Sequence, residues 1–397
     1  MPPFKVIKVV ENMSREKTNL ISYFTIIGFL IAFIKGDRKN CRFHLNQGLV
    51  LGLYEFVFIL IDAAGRAFGN FAVSVFCLAL IIAAACLLFL DLWVGIKSAV
   101  SDTEAEMPLF GRINIINKTP FSGFRMSSCH NHTTYSDGSS TPYAMVAEAV
   151  KLGLTGIGIT DHSYTDFDQR YCIKKEKTPD YISEIKRLQT QFAGRLAVAV
   201  GLELDLYSRP IKREDYDFVI GSVHYIKHKN EYYPIDDSKN GEERIINEVF
   251  GGDITEFASA YYNSVLQNVI KNRPDIIGHF DLITKFGLIN ESESGYRNIV
   301  FETIDKILET DPEIIFEVNT GVIWRGYKKS AYPNDFILKY LCDKNARVTV
   351  NADAHSASKI AFGFENELMR LYKKGFKKIT ILTRKGFVDV DLKPIAK

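Results

Sequence analysis

A chain of 397 residues with 49 basic and 47 acidic side chains carries a formal charge of only +2, which excludes the extended basic surface of a nucleic-acid binder. Its six cysteines show neither a CxxC pair nor regular spacing, which excludes a disulfide framework and suggests reduced thiols. There is no Gly-rich phosphate loop, no Gly-x-Ser-x-Gly elbow and no internal repeat.

The first hundred residues differ in kind from the rest. Leu20 to Ile34, Leu49 to Ala64 and Phe71 to Leu90 are apolar runs, and only the third reaches the roughly 20 residues of a full membrane span. None shows the polar face that a small soluble helical domain needs. Lys35, Arg38, Lys39 and Arg42 follow the first run, where a cleavable signal would carry small residues. Residues 1–100 therefore read as a hydrophobic helical, transmembrane domain. The positive-inside rule then puts this basic loop, and the chain beyond the third run, in the cytoplasm. Lys5, Lys8, Arg15 and Lys17 would lie opposite, a conflict that an interfacial first segment removes. Residues 101–123, polar and carrying Pro108 and Pro120, read as a linker to a second domain over 124–397.

In that second domain short apolar runs alternate with helix-like patterns, and most of the runs lead into a histidine or a carboxylate. His130-x-His132 comes first, with Asp137 close behind; residues two apart on a strand share a face, so the two histidines can reach one metal. A helix is expected over Pro142 to Leu152, then Leu154 to Thr160 leads into Asp161-His162. After a helix over Tyr181 to Phe192, Leu196 to Val200 leads into Glu203, and Phe218 to Val223 into His224. A helical stretch from about Glu242 to Lys271 precedes Ile276-Ile277-Gly278-His279. Asn298 to Glu309 reads as a helix, Ile314 to Val318 as a strand with Arg325 beyond it, and Asp335 to Lys344 as a helix. Val348 to Val350 then leads to Asp353-x-His355, with a last helix over Ala361 to Lys374. Alternation of this kind predicts an α/β domain, and ligands at the carboxyl ends of many strands favour a closed barrel over an open sheet.

Six of the eight histidines thus lie in one ordered series with Asp137, Glu203 and Asp353. Histidine and carboxylate together suit Zn, Fe or Mn, and nine candidates are too many for one ion, so two or three divalent ions are expected. Asp161 and Asp281 read as groups that orient the site or cap a strand end, while His44 and His228 stand outside the set.

The segment Cys129 to Gly138 resembles the opening motif of the polymerase-and-histidinol-phosphatase (PHP) superfamily. Ile159 to His162 resembles its second motif and Asn351 to His355 its last; Gly201 to Asp205, Gly221 to His224 and Gly278 to Leu282 resemble the pieces between. Asp137 is similar to the histidinol-phosphate phosphatase branch, since other branches often carry histidine there. The resemblance implies a distorted (β/α)7 barrel, here preceded by the small all-α transmembrane domain, and a three-metal site. By position it gives His130, His132, Glu203 and Asp353 to one metal. Glu203, His224 and His279 serve a second, and Asp137, His162 and His355 a third.

The expected activity is that of a metal-dependent phosphomonoesterase. It would hydrolyse L-histidinol phosphate to L-histidinol and phosphate, as in histidine biosynthesis, by attack of a metal-bound hydroxide, with the nine ligands as the catalytic set. Arg325 is the candidate phosphate clamp, because a guanidinium binds phosphate bidentately, and Trp324 and Tyr327 are candidates to flank an imidazole. Two alternatives stand beside this. One is a PHP phosphoesterase acting on another small phosphomonoester or a phosphodiester. The other is a membrane-anchored, non-catalytic metal-binding module. The expected partners are the small phosphorylated substrate and the membrane, with no nucleic acid.

Overall fold

The computed structural model describes residues 15–23, 25–35, 41, 44–53, 92, 93, 96, 121 and 123–394. The chain divides into two compact units, Met1–Thr119 and Pro120–Lys397.

In the first unit the run Leu20 to Ile34 is not one helix. Helix Arg15–Ile21 ends at a turn over Ser22 and Tyr23, and a second helix, Thr25–Lys35, has 11 residues. Ser22 Oγ donates to Asn19 O and His44 O, and Tyr23 Oη pairs with His44 Nδ1 at 2.9 Å, so the hydroxyls of both turn residues are met, in part by a residue from a later helix. Among the described residues no helix is long and apolar enough to cross a membrane. The run Phe71 to Leu90, most of Leu49 to Ala64 and nearly all of the expected linker lie outside the described residues.

The second unit is built on parallel strands. β1 (Ser127–Ser128) pairs with β2 (Gly156–Ile159), and β2 with β3 (Ala197–Val200). β4 (Glu203–Asp205) follows β3 after two residues and pairs with β5 (Ile220–Ser222). A short antiparallel hairpin intervenes, β6 (Tyr225–His228) with β7 (Glu231–Pro234), its two turn residues Lys229 and Asn230 both at positive φ. β5 then pairs with β8 (Ile276–Ile277), β8 with β9 (Ile315–Asn319), and β9 with β10 (Arg347–Asn351). The ring closes where the His132 N–H donates to Ala354 O and the Ala354 N–H to His130 O, at 2.8 and 3.1 Å. With β3 and β4 counted as one interrupted strand, bridged to β2's continuation through His162 and Glu203, the ring has seven strand positions.

Every barrel strand is buried or nearly so, as expected of strands covered on both faces. Close packing fixes the interior. A Cβ on Gly158 or Gly201 would fall 2.4 or 2.9 Å from the Phe218 ring, so two glycines make room for one aromatic filling the barrel. Phe218 clusters with Cys129, Ile220, Ile276, Ile315 and Leu382, and burial pushes the Cys129 thiol up to about 12, which makes it an inert packing group. Leu382 belongs to a final hairpin, β11 (Lys378–Thr383) with β12 (Gly386–Asp391). It meets Ser127 and Thr155 at the amino ends of β1 and β2, so this hairpin covers the end of the barrel opposite the ligands.

The helices pack outside and begin where their caps dictate. Thr141, Asp253 and Asn334 accept backbone N–H groups at the starts of helices Pro142–Lys151, Ile254–Asn272 and Asp335–Asp343. The helix expected over Glu242 to Lys271 is interrupted. Lys239–Arg244 runs into a π-helical turn, Ile245–Val249, and Gly251 and Gly252 at positive φ end it before Asp253 restarts a helix.

Candidate metal centre

All nine candidate ligands converge at the carboxyl ends of the strands. Glu203 is the hub, with imidazole nitrogens of His162, His279, His130, His132 and His224 at 2.7, 3.0, 3.2, 3.5 and 3.6 Å from its oxygens. Asp353 Oδ1 lies 3.2 Å from His132 Nε2 and 3.7 Å from His130 Nε2. Asp137 Oδ2 lies 3.1 Å from His355 Nε2 and 3.8 Å from His162 Nε2. Four sets have ligand atoms close enough to share an ion. They are His130, His132 and Glu203; His162, Glu203 and His224; His130, His279 and Asp353; and His132, Asp137, His162 and His355.

The donor set fits divalent cations. His130 Nε2 and both nitrogens of His132 are buried without a well-formed hydrogen bond, as are His224 Nδ1 and His279 Nδ1. Buried imidazoles left unsatisfied around one carboxylate are costly unless a cation takes up their lone pairs. Two ligands are also held in backbone conformations that side chains seldom adopt, His279 at φ 21° and Asp353 at φ 49°. Such geometry persists only where the surrounding structure imposes it.

The electrostatics follow from this crowding. Burial, with His355 and His162 adding like charge, lowers His132 to about 3. Against burial, Glu203 and then Asp205 raise His224 to about 9. His130 is also raised, Glu317 and Glu203 outweighing burial. Glu203 stays well below the usual carboxylate range despite burial, because His162, His130 and His224 surround it; Asp353 does so through Arg325 and His130.

The supporting groups include one that the sequence reading did not single out. Glu317 on β9 is fully buried and takes His130 Nδ1 at 2.7 Å, the His279 N–H at 2.8 Å, and the side-chain amides of Asn319 and Asn351 at 2.8 and 2.9 Å. It thereby aims His130 Nε2 at the centre. The sequence held a signal for it, a charged residue inside an apolar strand and two before an asparagine on the same face. Asp161 supports a different segment from the histidine beside it, accepting the Thr133 N–H and hydroxyl at 2.6 and 2.7 Å and the Ser136 hydroxyl, so it shapes the turn that carries Asp137. Asp281 Oδ2 accepts the Asn334 N–H instead of touching His279's ring. His228 packs at a tilt against Phe250, ring centroids 5.2 Å apart, and belongs to none of the ligand sets.

A cavity of about 400 Å³ opens over the cluster. Arg325 lines it, with its Nη groups already bound to Asp353 at 3.0 and 3.1 Å and to His355 Nδ1 at 2.9 Å. Trp324, a candidate imidazole neighbour, instead lies under the Arg325 guanidinium and donates its indole N–H to Ala352 O. Asp236 and Lys285, paired at 3.3 Å, also line it, as do Asp237, Tyr171, Tyr225 and Tyr327.

Residues 128–321 match the PHP domain family. Asp353 and His355 lie beyond the matched stretch, on either side of Ala354, whose backbone closes the ring onto His130 and His132. The second unit is similar to a probable histidinol-phosphatase of Deinococcus radiodurans, 27% identical over an alignment of 278 positions that covers 64% of this chain and 96% of the relative. A histidinol-phosphatase of Bacillus subtilis is 26% identical, over 61% of this chain and 97% of its own length. Among solved structures, a histidinol phosphatase candidate from Listeria monocytogenes superposes with a TM-score of 0.53 at 18% identity, covering 60% of this chain and 99% of that one. That likeness concerns the fold.

Proposed function

We propose that this chain is a metal-dependent phosphomonoesterase that hydrolyses L-histidinol phosphate to L-histidinol and phosphate. The observation that carries the reading is the convergence of nine histidines and carboxylates around Glu203 beneath a cavity sized for a small phosphoester. The curated relatives, matched over nearly their whole length, bear the name of that activity.

The four sets of ligands suit two or three divalent ions, Zn, Mn or Fe. When bound, such ions supply Lewis-acid charge for the phosphoryl oxygens and bring the pKa of water toward neutrality. The chain's own residues do the rest. Arg325 adds fixed positive charge at the cavity wall, locked by Asp353 and His355, which favours a dianionic ester. Asp236 and Asp237 on the lining offer a counter-charge to the ammonium of an amino alcohol. Glu317 and Asp161 hold the ligand-bearing segments still, so that the reacting group meets preorganised partners.

We further propose that the N-terminal unit attaches the enzyme to a membrane, with the PHP unit on the cytoplasmic side. Supporting this are the apolar runs Leu49 to Ala64 and Phe71 to Leu90 and the exposed face of helix Thr25–Lys35 formed by Ile27, Leu30, Ile31 and Ile34. One experiment addresses both parts: phosphate release by the full chain, in membrane and soluble fractions, from L-histidinol phosphate, sugar and nucleoside monophosphates and a phosphodiester. The expected result is strong preference for histidinol phosphate, with the activity sedimenting with membranes. Preference for another ester would replace the substrate, and activity confined to the soluble fraction would remove the membrane.

A further inference from the structure

Tyr171 lies in the loop that follows His162, and no ligand role claims it. Its ring meets the His162 imidazole edge-on, with centroids 4.9 Å apart at 89°, and lies 6.4 Å from His224. It therefore borders the candidate metal centre. On its other side is Tyr225 of β6, nearly parallel at 19° and 6.3 Å away. Both rings line the cavity that holds Arg325 and Asp353.

This aromatic wall is fixed from behind. Tyr225 Oη donates to Asp168 Oδ2 at 2.7 Å, and the Arg170 guanidinium binds both Asp168 oxygens. Phe167 stacks on Tyr232 of β7 with centroids 4.1 Å apart and planes within 7°. The loop is thus tied to the β6–β7 hairpin through ring contacts and a charge-assisted network. Asp168 spends its oxygens on protein donors, so it positions the wall and leaves recognition to the rings. Preorganised aromatic surface of this kind binds a flat group at little entropic cost.

Resting on the phosphatase reading above, we propose that Tyr171, backed by Tyr225, is the subsite for the ring of the leaving alcohol, and that it selects phosphate esters of ring-bearing amino alcohols over ring-less ones. With the phosphoryl group held at the ligand cluster, the ring of such an ester, a few bonds from the ester oxygen, reaches the wall next to His162. Tyr171 is then a specificity residue: it acts on binding of the alcohol part and takes no share in the displacement at phosphorus.

The test compares the metal-loaded full chain on L-histidinol phosphate and on O-phosphoethanolamine, which keeps the ammonium and lacks the ring. Tyr171→Leu is expected to lower kcat/KM on histidinol phosphate about tenfold, mainly through KM, with a much smaller effect on O-phosphoethanolamine. Tyr171→Phe, which keeps the ring, should restore the wild-type ratio between the two substrates. Equal losses on both esters in Tyr171→Leu would show that the ring only supports His162, and would overturn the proposal. So would an unmodified chain that turns over the two esters alike, although phosphatase chemistry would then stand. Turnover of neither would bring down the phosphatase reading and the subsite with it.

Discussion

Glu317 does not line the cavity over the cluster, yet four donors end on its carboxylate and two of them belong to candidate ligands, His130 and His279. A glutamine there keeps the shape, loses the charge facing His130 and turns one acceptor into a donor aimed at other donors. Glu317→Gln is therefore expected to weaken metal retention by about 10–100-fold, the usual cost of losing such a support. Metal content after dialysis against graded chelator would report it directly, and retention equal to that of the wild type would show that Glu317 is only packing. The candidate ligands were legible because most of them follow a short run of apolar residues, and a shared site is the simplest explanation of so many histidines at strand ends. Glu317 was harder to read because it lies within its strand, where a carboxylate reads as an interruption until Asn319 and Asn351 are seen to close on it. Arg325 was legible as a charge near the site. Its anchoring to Asp353 was not, because that contact spans 28 residues of sequence and depends on the β9–β10 pairing.

At the scale of elements, the short helix Lys239–Arg244 buries Glu242 completely and leaves both its oxygens without a hydrogen bond. Burial, with Asp236 adding like charge, pushes it up to about 8. The folded state then holds a proton that the unfolded chain releases near its ordinary 4.5. Between those values the native protein binds more protons, so Glu242 makes stability fall as pH rises from about 4.5 to about 8. Glu242→Gln removes that dependence. It should raise Tm by a few degrees at pH 8 and change it little at pH 5, measured by thermal unfolding; an equal shift at both pH values would refute the assignment. The same region shows why the predicted long helix was too long. Gly251-Gly252-Asp253 is a stop followed by a cap, but the apolar periodicity on either side runs through it in phase. The β6–β7 hairpin escaped notice for a related reason: its turn is Lys229-Asn230, with no glycine to mark the positive φ values.

At the scale of the whole molecule, alternation of strand and helix gave the barrel and its direction, because candidate ligands recur at one end of most strands. Closure was not readable locally. It rests on His130 and His132 pairing with Ala354, 222 residues away for Ala354 and His132 together, through two backbone hydrogen bonds. The N-terminal unit was read from hydropathy alone, and hydropathy missed the break at Ser22 and Tyr23, where His44 returns to satisfy the turn. In the other unit, the proposed activity requires that the cluster around Glu203 hold divalent ions and that hydrolysis depend on them. The most direct measurement is phosphate release from L-histidinol phosphate by the full chain before chelation, after chelation, and after reloading with Zn, Mn or Fe. Turnover should fall to background in the stripped protein and return on reloading with at least one of these ions. Undiminished turnover by a protein shown to be free of metal would contradict the account.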